Sequence, residues 1–276
     1  MLFRLALTLC LTLPAALSAQ ERTPSHCIAL ADANPALHFV HRAAYGDPLQ
    51  AETVRLNYVD HSTFLLETAG GLTAATDYTG FIGVGAKIPD VVSMNNAHSS
   101  HWTAFPDPAI PHVLEGWAKD GLAADHHLDL GEMLVRNIPT DTRGRFDIER
   151  RVAGNSIFVF EVAGLCIGHL GHLHHEPDAA QYAAIGRLDV VMAPVDGGMT
   201  LDLPTMLKVV GRLRSSIIIP MHWFSEFSLQ QFLDGVPDGF DKVRPGQSDL
   251  TVSLNTLPGR PTVFVLEPAF LRSPED

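Results

Sequence analysis

Three short apolar runs in this chain each end in histidine. Val91-Val92-Ser93-Met94 leads into Asn95-Asn96-Ala97-His98-Ser99-Ser100-His101. Leu165-Cys166-Ile167 leads into Gly168-His169-Leu170-Gly171-His172-Leu173-His174-His175, and Ser216-Ile217-Ile218-Ile219-Pro220 leads into Met221-His222. Runs this short are strand-length, and an apolar run without alternation implies cover on both faces. A fold that carries the pattern must bring several strand ends to one edge, where the chain leaves its sheets in polar loops. Neutral imidazole is a ready ligand for borderline cations such as zinc. The pattern therefore predicts a metal site built from strand ends and loops. Taken alone, residues 167–175 also read as a solvated histidine-rich loop; the imidazoles at ligand spacing elsewhere argue against that.

The rest of the chain supplies the frame. Residues 53–59 and 62–68 read as strands, and 62–68 forms a hairpin with 72–75 around Gly70-Gly71. Further strands are expected at 89–94, 132–139, 155–162, 188–195, 250–254 and 262–266. Helices are expected at 178–185 with Asp178 at the cap, at 203–213 starting at Pro204, and near 229–233. Weaker helical signals lie at 35–42 and 111–119, while the polar, basic stretch 141–153 reads as a loop. An internal echo is visible. Ser62 to Asp77 reads strand, turn, strand, acid; Ser156 to His172 reads strand, turn, strand, histidine. This suggests two related halves of one α/β domain spanning 51–276, preceded by an arm at 20–50.

Composition narrows the function. A hydrophobic fraction of 46% supports a real core, and a net charge of −12 with 19 basic residues disfavours nucleic acid as a partner. The basic cluster of Arg143, Arg145, Arg150 and Arg151 is the local exception. Arg4, the apolar run 5–13, Pro14 and the small residues 15–19 form a secretory signal pattern over 1–19, so the protein is expected to be exported to a periplasmic or extracellular space. No later segment is long enough to insert in a membrane. In an oxidising compartment Cys27 and Cys166 are free to pair, which would pin the arm to the strand that leads into the histidines; a buried thiol and a free one are the alternative.

The pool of candidate ligands is His98, His101, His172, His175, His222, Asp141 and Asp77. It exceeds the three protein ligands plus water of a typical catalytic zinc site, so some members must orient ligands or stand by. A nucleophile elbow and a glycine-rich phosphate loop are both missing from the sequence.

Asp60-His61-Ser62-Thr63-Phe64-Leu65-Leu66-Glu67, Asp77 after a strand, the His98/His101 loop, Ile167 to His175, Asp189 to Val195 and Ile219-Pro220-Met221-His222 occur in that order. In this the chain resembles the metallo-β-lactamase-fold hydrolases, over roughly residues 53–235. The resemblance implies an αββα sandwich of two facing mixed sheets, one or two metal ions, zinc foremost, and hydrolysis of an ester, lactone, amide or phosphodiester in a small-molecule substrate. His98, His101, His172 and His222 then fall on ligand positions, with Asp141 as ligand or base, and His61 and Asp77 match neighbours of the site. The family loop H-x-H-x-D-H lands on Asn96, His98, Ser100 and His101, and its bridging aspartate lands on His172. One ion held mainly by imidazoles is the expectation, with Asp141 or His175 moving the proton and Asn96 or His174 donating to a developing oxyanion. The family comparison also leaves room for a metal-binding relative without catalysis, acting in binding or sensing.

Overall fold

The computed structural model describes residues 22–28, 45–143 and 150–272. The signal segment, the weak helical signal at 35–42 and Arg145 lie outside the described residues.

In the first half, β1 (Val54–Asp60), β2 (Thr63–Thr68), β3 (Thr73–Ala75), β5 (Val91–Met94) and β6 (His112–Glu115) pair into one sheet, while β4 (Gly83–Val84) stands apart. Strand β7 (His127–Asp129) opens the second sheet, followed by β8 (Met133–Arg143), β9 (Arg150–Val162), β10 (Leu165–His169), β11 (Val190–Pro194) and β12 (Ile217–Met221). Among the described residues three α-helices intervene or follow: α1 (Ala179–Ile185), α2 (Leu203–Leu213) and α3 (Glu226–Gly235). The chain ends in β13 (Asp241–Val243), β14 (Asp249–Val252), β15 (Thr262–Phe264) and β16 (Leu271–Arg272). The smaller sheet has the order β14-β1-β2-β3-β5-β6 and the larger β13-β15-β12-β11-β10-β9-β8-β7.

The sheets face one another. Leu56, Phe64, Leu66 and Val91 from the smaller sheet pack with Val135, Phe160, Ile167, Met192 and Ile219 from the larger. The other face of the larger sheet is covered by Ile185 of α1, Met206 and Val210 of α2 and Phe232 of α3. Burial on both faces explains why β11 and β12 are continuous apolar runs. The outer face of the smaller sheet is covered by loop residues Tyr78, Ile82 and Ile110 with Trp102 and Trp117. The sandwich is thus the expected one, with its described helices on the larger sheet.

Asp178 caps α1 through a capping box, and Asp202 caps α2 with Pro204 in the first turn. Both starts were visible in the sequence. Two expectations fail. The segment 111–119 forms β6, a strand parallel to β5, in place of a helix. Where a loop was expected over 141–153, residues 141–143 and 150–153 are strand, the ends of β8 and β9, with Thr142 opposite Arg151 and Arg143 opposite Arg150. In both, ladder pairing with a neighbour overrides weak local preference. Cys27 and Cys166 are joined by a disulfide. It ties the segment 22–28 to β10, and Glu161 on β9 fastens the same segment through Ser25 and the backbone N–H of His26. Among the described residues no helix is long and apolar enough to cross a membrane.

Candidate metal centre

Parallel pairing decides where the polar residues meet. Strands β3 and β5 run parallel, as do β10, β11 and β12. Their carboxyl ends therefore open at the same edge, where ligand sites of such sheets form. There β3 delivers Asp77, β5 delivers Asn95 to His101, β10 delivers His169 to His175, β11 delivers Asp196 and β12 delivers His222. The β1–β2 turn adds His61. Three of these exits are strained: His61, Asp77 and His222 have φ of 48°, 42° and 56°. A non-glycine residue holds that conformation at a cost that packing must offset, as functional sites often do. Hydrogen bonds fix it here, from the backbone N–H of His222 to the carbonyl of His61 at 2.8 Å and from the Tyr58 hydroxyl to the same carbonyl at 2.7 Å.

Five imidazoles converge in two overlapping triads that share His101. His61, His101 and His222 form one, His98, His101 and His172 the other, and within each triad the ligand nitrogens lie within 4.8 Å of one another. His101 and His222 are buried and nearly parallel, 14° apart in plane, with their Nε2 atoms 3.1 Å apart. Each ring turns Nδ1 to a buried carboxylate. For His101 this is Oδ2 of Asp77 at 2.6 Å; for His222 it is Oδ2 of Asp196 at 2.9 Å, a contact of ion-pair length that is off line for a full hydrogen bond. A carboxylate only accepts, so the proton sits on Nδ1 and a lone pair remains on Nε2. Two lone pairs then face each other, which a cation relieves. Two nitrogens bound at about 2.05 Å to one tetrahedral zinc would be about 3.3 Å apart, close to the observed spacing. Nε2 of His61 is also buried without a hydrogen-bond partner. The residues present therefore fit a metal ion.

Electrostatics keep His61, His101 and His172 neutral. Burial, then the charge repulsion of His222 and His101, lowers the His61 pKa to about 3. Burial and neighbouring imidazoles push His101 and His172 well below the ordinary imidazole value. Burial raises the Asp77 carboxyl, opposed by His169 and by the N–H of Asn95 that donates to it at 2.9 Å. Burial also works against ionised Asp196, but the nearby His222 ring and hydrogen bonds from Thr200 and the Gly198 N–H prevail and lower its pKa.

The structure gathers His98, His101, His172 and His222 as the sequence suggested, with His61 and Asp77 beside them. Asn96 is buried in the wall of the adjoining cavity. Asp141 and His175 are not brought in. The Asp141 carboxylate is held by Arg150 and by the backbone N–H of Ala153. Burial opposes ionisation there, but those partners outweigh it and lower the pKa, leaving a poor proton acceptor. His175 accepts the backbone N–H of Asp141 on Nε2 and contacts the Glu176 carbonyl through Nδ1, so both ring nitrogens are engaged. Both residues line a neighbouring cavity of about 510 Å³. Trp102 stacks edge-on with Trp117, and Trp223 packs on the helical side, so neither tryptophan lines the site.

Several participants escaped the sequence reading. Asp196 is one, although an acid just past a buried strand repeats the Asp77 pattern. Asn95 is another; its side chain donates to the carbonyl of Ser156 and contacts Nδ1 of His169. His169 is a third, buried under the site with Nε2 on the carbonyl of Ser62. His174, named from the sequence as an oxyanion donor, has both ring nitrogens engaged instead: Nε2 reaches Nδ1 of His172 at 2.5 Å and Nδ1 accepts the backbone N–H of Arg143. Gly171, φ +61°, lets the chain pass here: a Cβ would lie 2.3 Å from Nδ2 of Asn95.

Residues 55–222, more than half of the chain, match the family described as the beta-lactamase superfamily domain. No curated protein matches the sequence significantly. Among solved structures, a candidate Zn-dependent hydrolase of the metallo-beta-lactamase superfamily from Thermotoga maritima aligns with TM-score 0.56 and 24% identity, covering 78% of this chain and 99% of that one. A candidate metal-dependent hydrolase from Parabacteroides distasonis aligns with TM-score 0.53 and 14% identity, covering 82% and 100%. At such identities the likeness is one of fold. Taken with the family match and the ordered imidazole edge, it establishes that the chain belongs to the metallo-β-lactamase superfamily.

Proposed function

We propose that this protein is an exported, metal-dependent hydrolase of a small molecule. The observation that carries the reading is the His101–His222 pair, with facing Nε2 atoms at 3.1 Å and each Nδ1 against a carboxylate. His101 and His222 are the central ligands. His98 and His61 each offer a further nitrogen beside this pair. An all-imidazole set of this kind suits zinc better than magnesium or manganese. A bound ion of that type supplies a Lewis acid and an acidified water for hydrolysis of an ester, lactone, amide or phosphodiester.

The chain's own residues prepare the site. Asp77 and Asp196 fix the tautomers of His101 and His222 and hold the rings still. His174 accepts the N–H of Arg143 on Nδ1, so its own proton is on Nε2 and is donated to Nδ1 of His172. His172 then directs an N–H toward the cavity, where it can donate to charge building on substrate oxygen. Asn96 stands in the same wall. Export is supported by the leader pattern and by the Cys27–Cys166 disulfide, a bond at home in oxidising compartments.

Metal analysis of protein purified without chelator tests the reading. One ion or two per chain is expected, with occupancy falling in both His101→Ala and His222→Ala. Metal-free protein, or occupancy unchanged in both variants, would overturn it. Bound metal with no turnover across ester, lactone, β-lactam and phosphodiester substrates would favour a binding or sensing relative.

A further inference from the structure

The site opens on two sides of unlike chemistry. On one side a cavity of about 610 Å³ is lined by His98, His172 and His222 with Arg143 and Arg151. None of its described lining residues is a carboxylate, in a chain with 31 acidic against 19 basic residues. Asp196 is buried against His222, and Asp141 is clamped by Arg150. Nη2 of Arg143 donates to the carbonyls of Gly198, Met199 and Thr200, which fixes its guanidinium in the wall. Arg151 is exposed on β9 and faces the same cavity. Cations in a walled cleft focus positive potential, and a guanidinium pairs a carboxylate or phosphate through two parallel hydrogen bonds.

On the other side, across His98, Met199 and Phe224, lies a cavity of about 710 Å³ with Phe81 and Phe270 in its wall. Phe81, Phe224, Phe270 and Met199 are 51%, 60%, 50% and 64% exposed, a contiguous apolar surface of the sort that marks a ligand groove. It reaches the imidazoles directly: the Phe224 ring centroid is 5.2 Å from those of both His61 and His222.

We infer that the substrate is an amphiphilic anion, resting on the hydrolytic reading of the same site. Its apolar acyl or aryl group lies on Phe81, Phe224 and Phe270. Its ester or amide bond lies over the imidazoles, and a carboxylate or phosphate on the leaving half pairs with Arg151. Hydrolysis breaks the bond from acyl carbon to oxygen or nitrogen, places the water hydroxyl on that carbon and sends the proton to the leaving group. Arg151 is the residue that sets specificity for the anion.

The test has two arms. In the first, calorimetry measures binding of octanoate, octanamide, octyl phosphate and acetate to metal-loaded and to chelated protein. Octanoate and octyl phosphate should each bind about tenfold or more tighter than octanamide, the worth of one charge-assisted pair. That preference should survive chelation, vanish in Arg151→Ala and partly return in Arg151→Lys. Retention of only one anion identifies which group the cleft takes. Phe224→Ala should weaken all three octyl compounds alike and leave acetate unchanged. Equal binding of octanoate, octyl phosphate and octanamide, or a ratio unaltered in Arg151→Ala, overturns the inference. So does recruitment to phosphatidylcholine vesicles without discrimination among the soluble probes, which would assign the phenylalanines to a membrane surface. In the second arm, the octanoyl esters of 3-hydroxybenzoate and 3-hydroxybenzamide are compared as substrates. Equal kcat/KM upholds hydrolysis and overturns the anion preference. Probe binding as expected with neither ester cleaved upholds the anion preference and counts against hydrolysis.

Discussion

Asp77→Asn isolates the carboxylate that orients His101. Asp77 is fully buried; Oδ2 lies 2.6 Å from Nδ1 of His101 and Oδ1 accepts the N–H of Asn95 at 2.9 Å. Asparagine fills the same volume but offers one acceptor where aspartate offers two. If its oxygen stays with Asn95, its amide faces Nδ1 and drives the imidazole proton to Nε2, removing the lone pair aimed at the metal. Loss of such an orienting partner costs about 10–100-fold in metal affinity, or about 1.4–2.8 kcal/mol. If the oxygen turns to His101, the Asn95 N–H loses its acceptor in the interior, at about 1–3 kcal/mol of stability. The first outcome is expected to dominate, because in the metal-free protein Nε2–H of His101 can then donate to Nε2 of His222. Zinc affinity should therefore fall by one to two orders of magnitude, read by chelator competition. The metal-free protein should melt within a few degrees of wild type, at about 2–4 °C per kcal/mol. A folded variant with zinc affinity within about twofold of wild type would refute the orienting role.

Gly171→Ala should destabilise by more than the ~1–2 kcal/mol of a left-handed residue, because its Cβ also meets Asn95 and Asn155; an unchanged denaturation midpoint would count against the packing described. Reducing the Cys27–Cys166 disulfide, which closes 139 residues of chain, should cost about 2–5 kcal/mol and lower the melting temperature. Neither cysteine should react with an alkylating agent before reduction. Glu161 titrates with a depressed pKa: burial works against it, but Arg136 and Ser25 prevail. A depressed carboxyl contributes stability above its ordinary value of 4.5 and loses it as pH falls through the folded value. Wild type should thus lose melting temperature below that pH more steeply than Glu161→Gln, and parallel acid profiles would show that Glu161 contributes nothing through charge.

Local pattern carried much of this protein in one dimension. Apolar runs marked β5, β10, β11 and β12, cap residues marked α1 and α2, and the turn at Ala163-Gly164 and its echo at Gly70-Gly71 marked two hairpins. These are legible because strand period, capping chemistry and positive φ depend on near neighbours in the chain. His98, His101, His172 and His222 were legible for a related reason, since each follows an apolar run that ends at a sheet edge. Which side chains share a point in space was not. Asp141 looked like a ligand until the β8–β9 ladder set it against Arg150, and His175 until the same ladder placed the Asp141 N–H on its ring. Asp196 and His169 were passed over because their partners lie 26 and 107 positions away along the chain, at His222 and Ser62. Sequence alone determined which strand ends carry imidazoles. Only the parallel pairing of the strands and the facing of two sheets decided which of those imidazoles meet, because distance across a sandwich has no trace in the spacing along the chain.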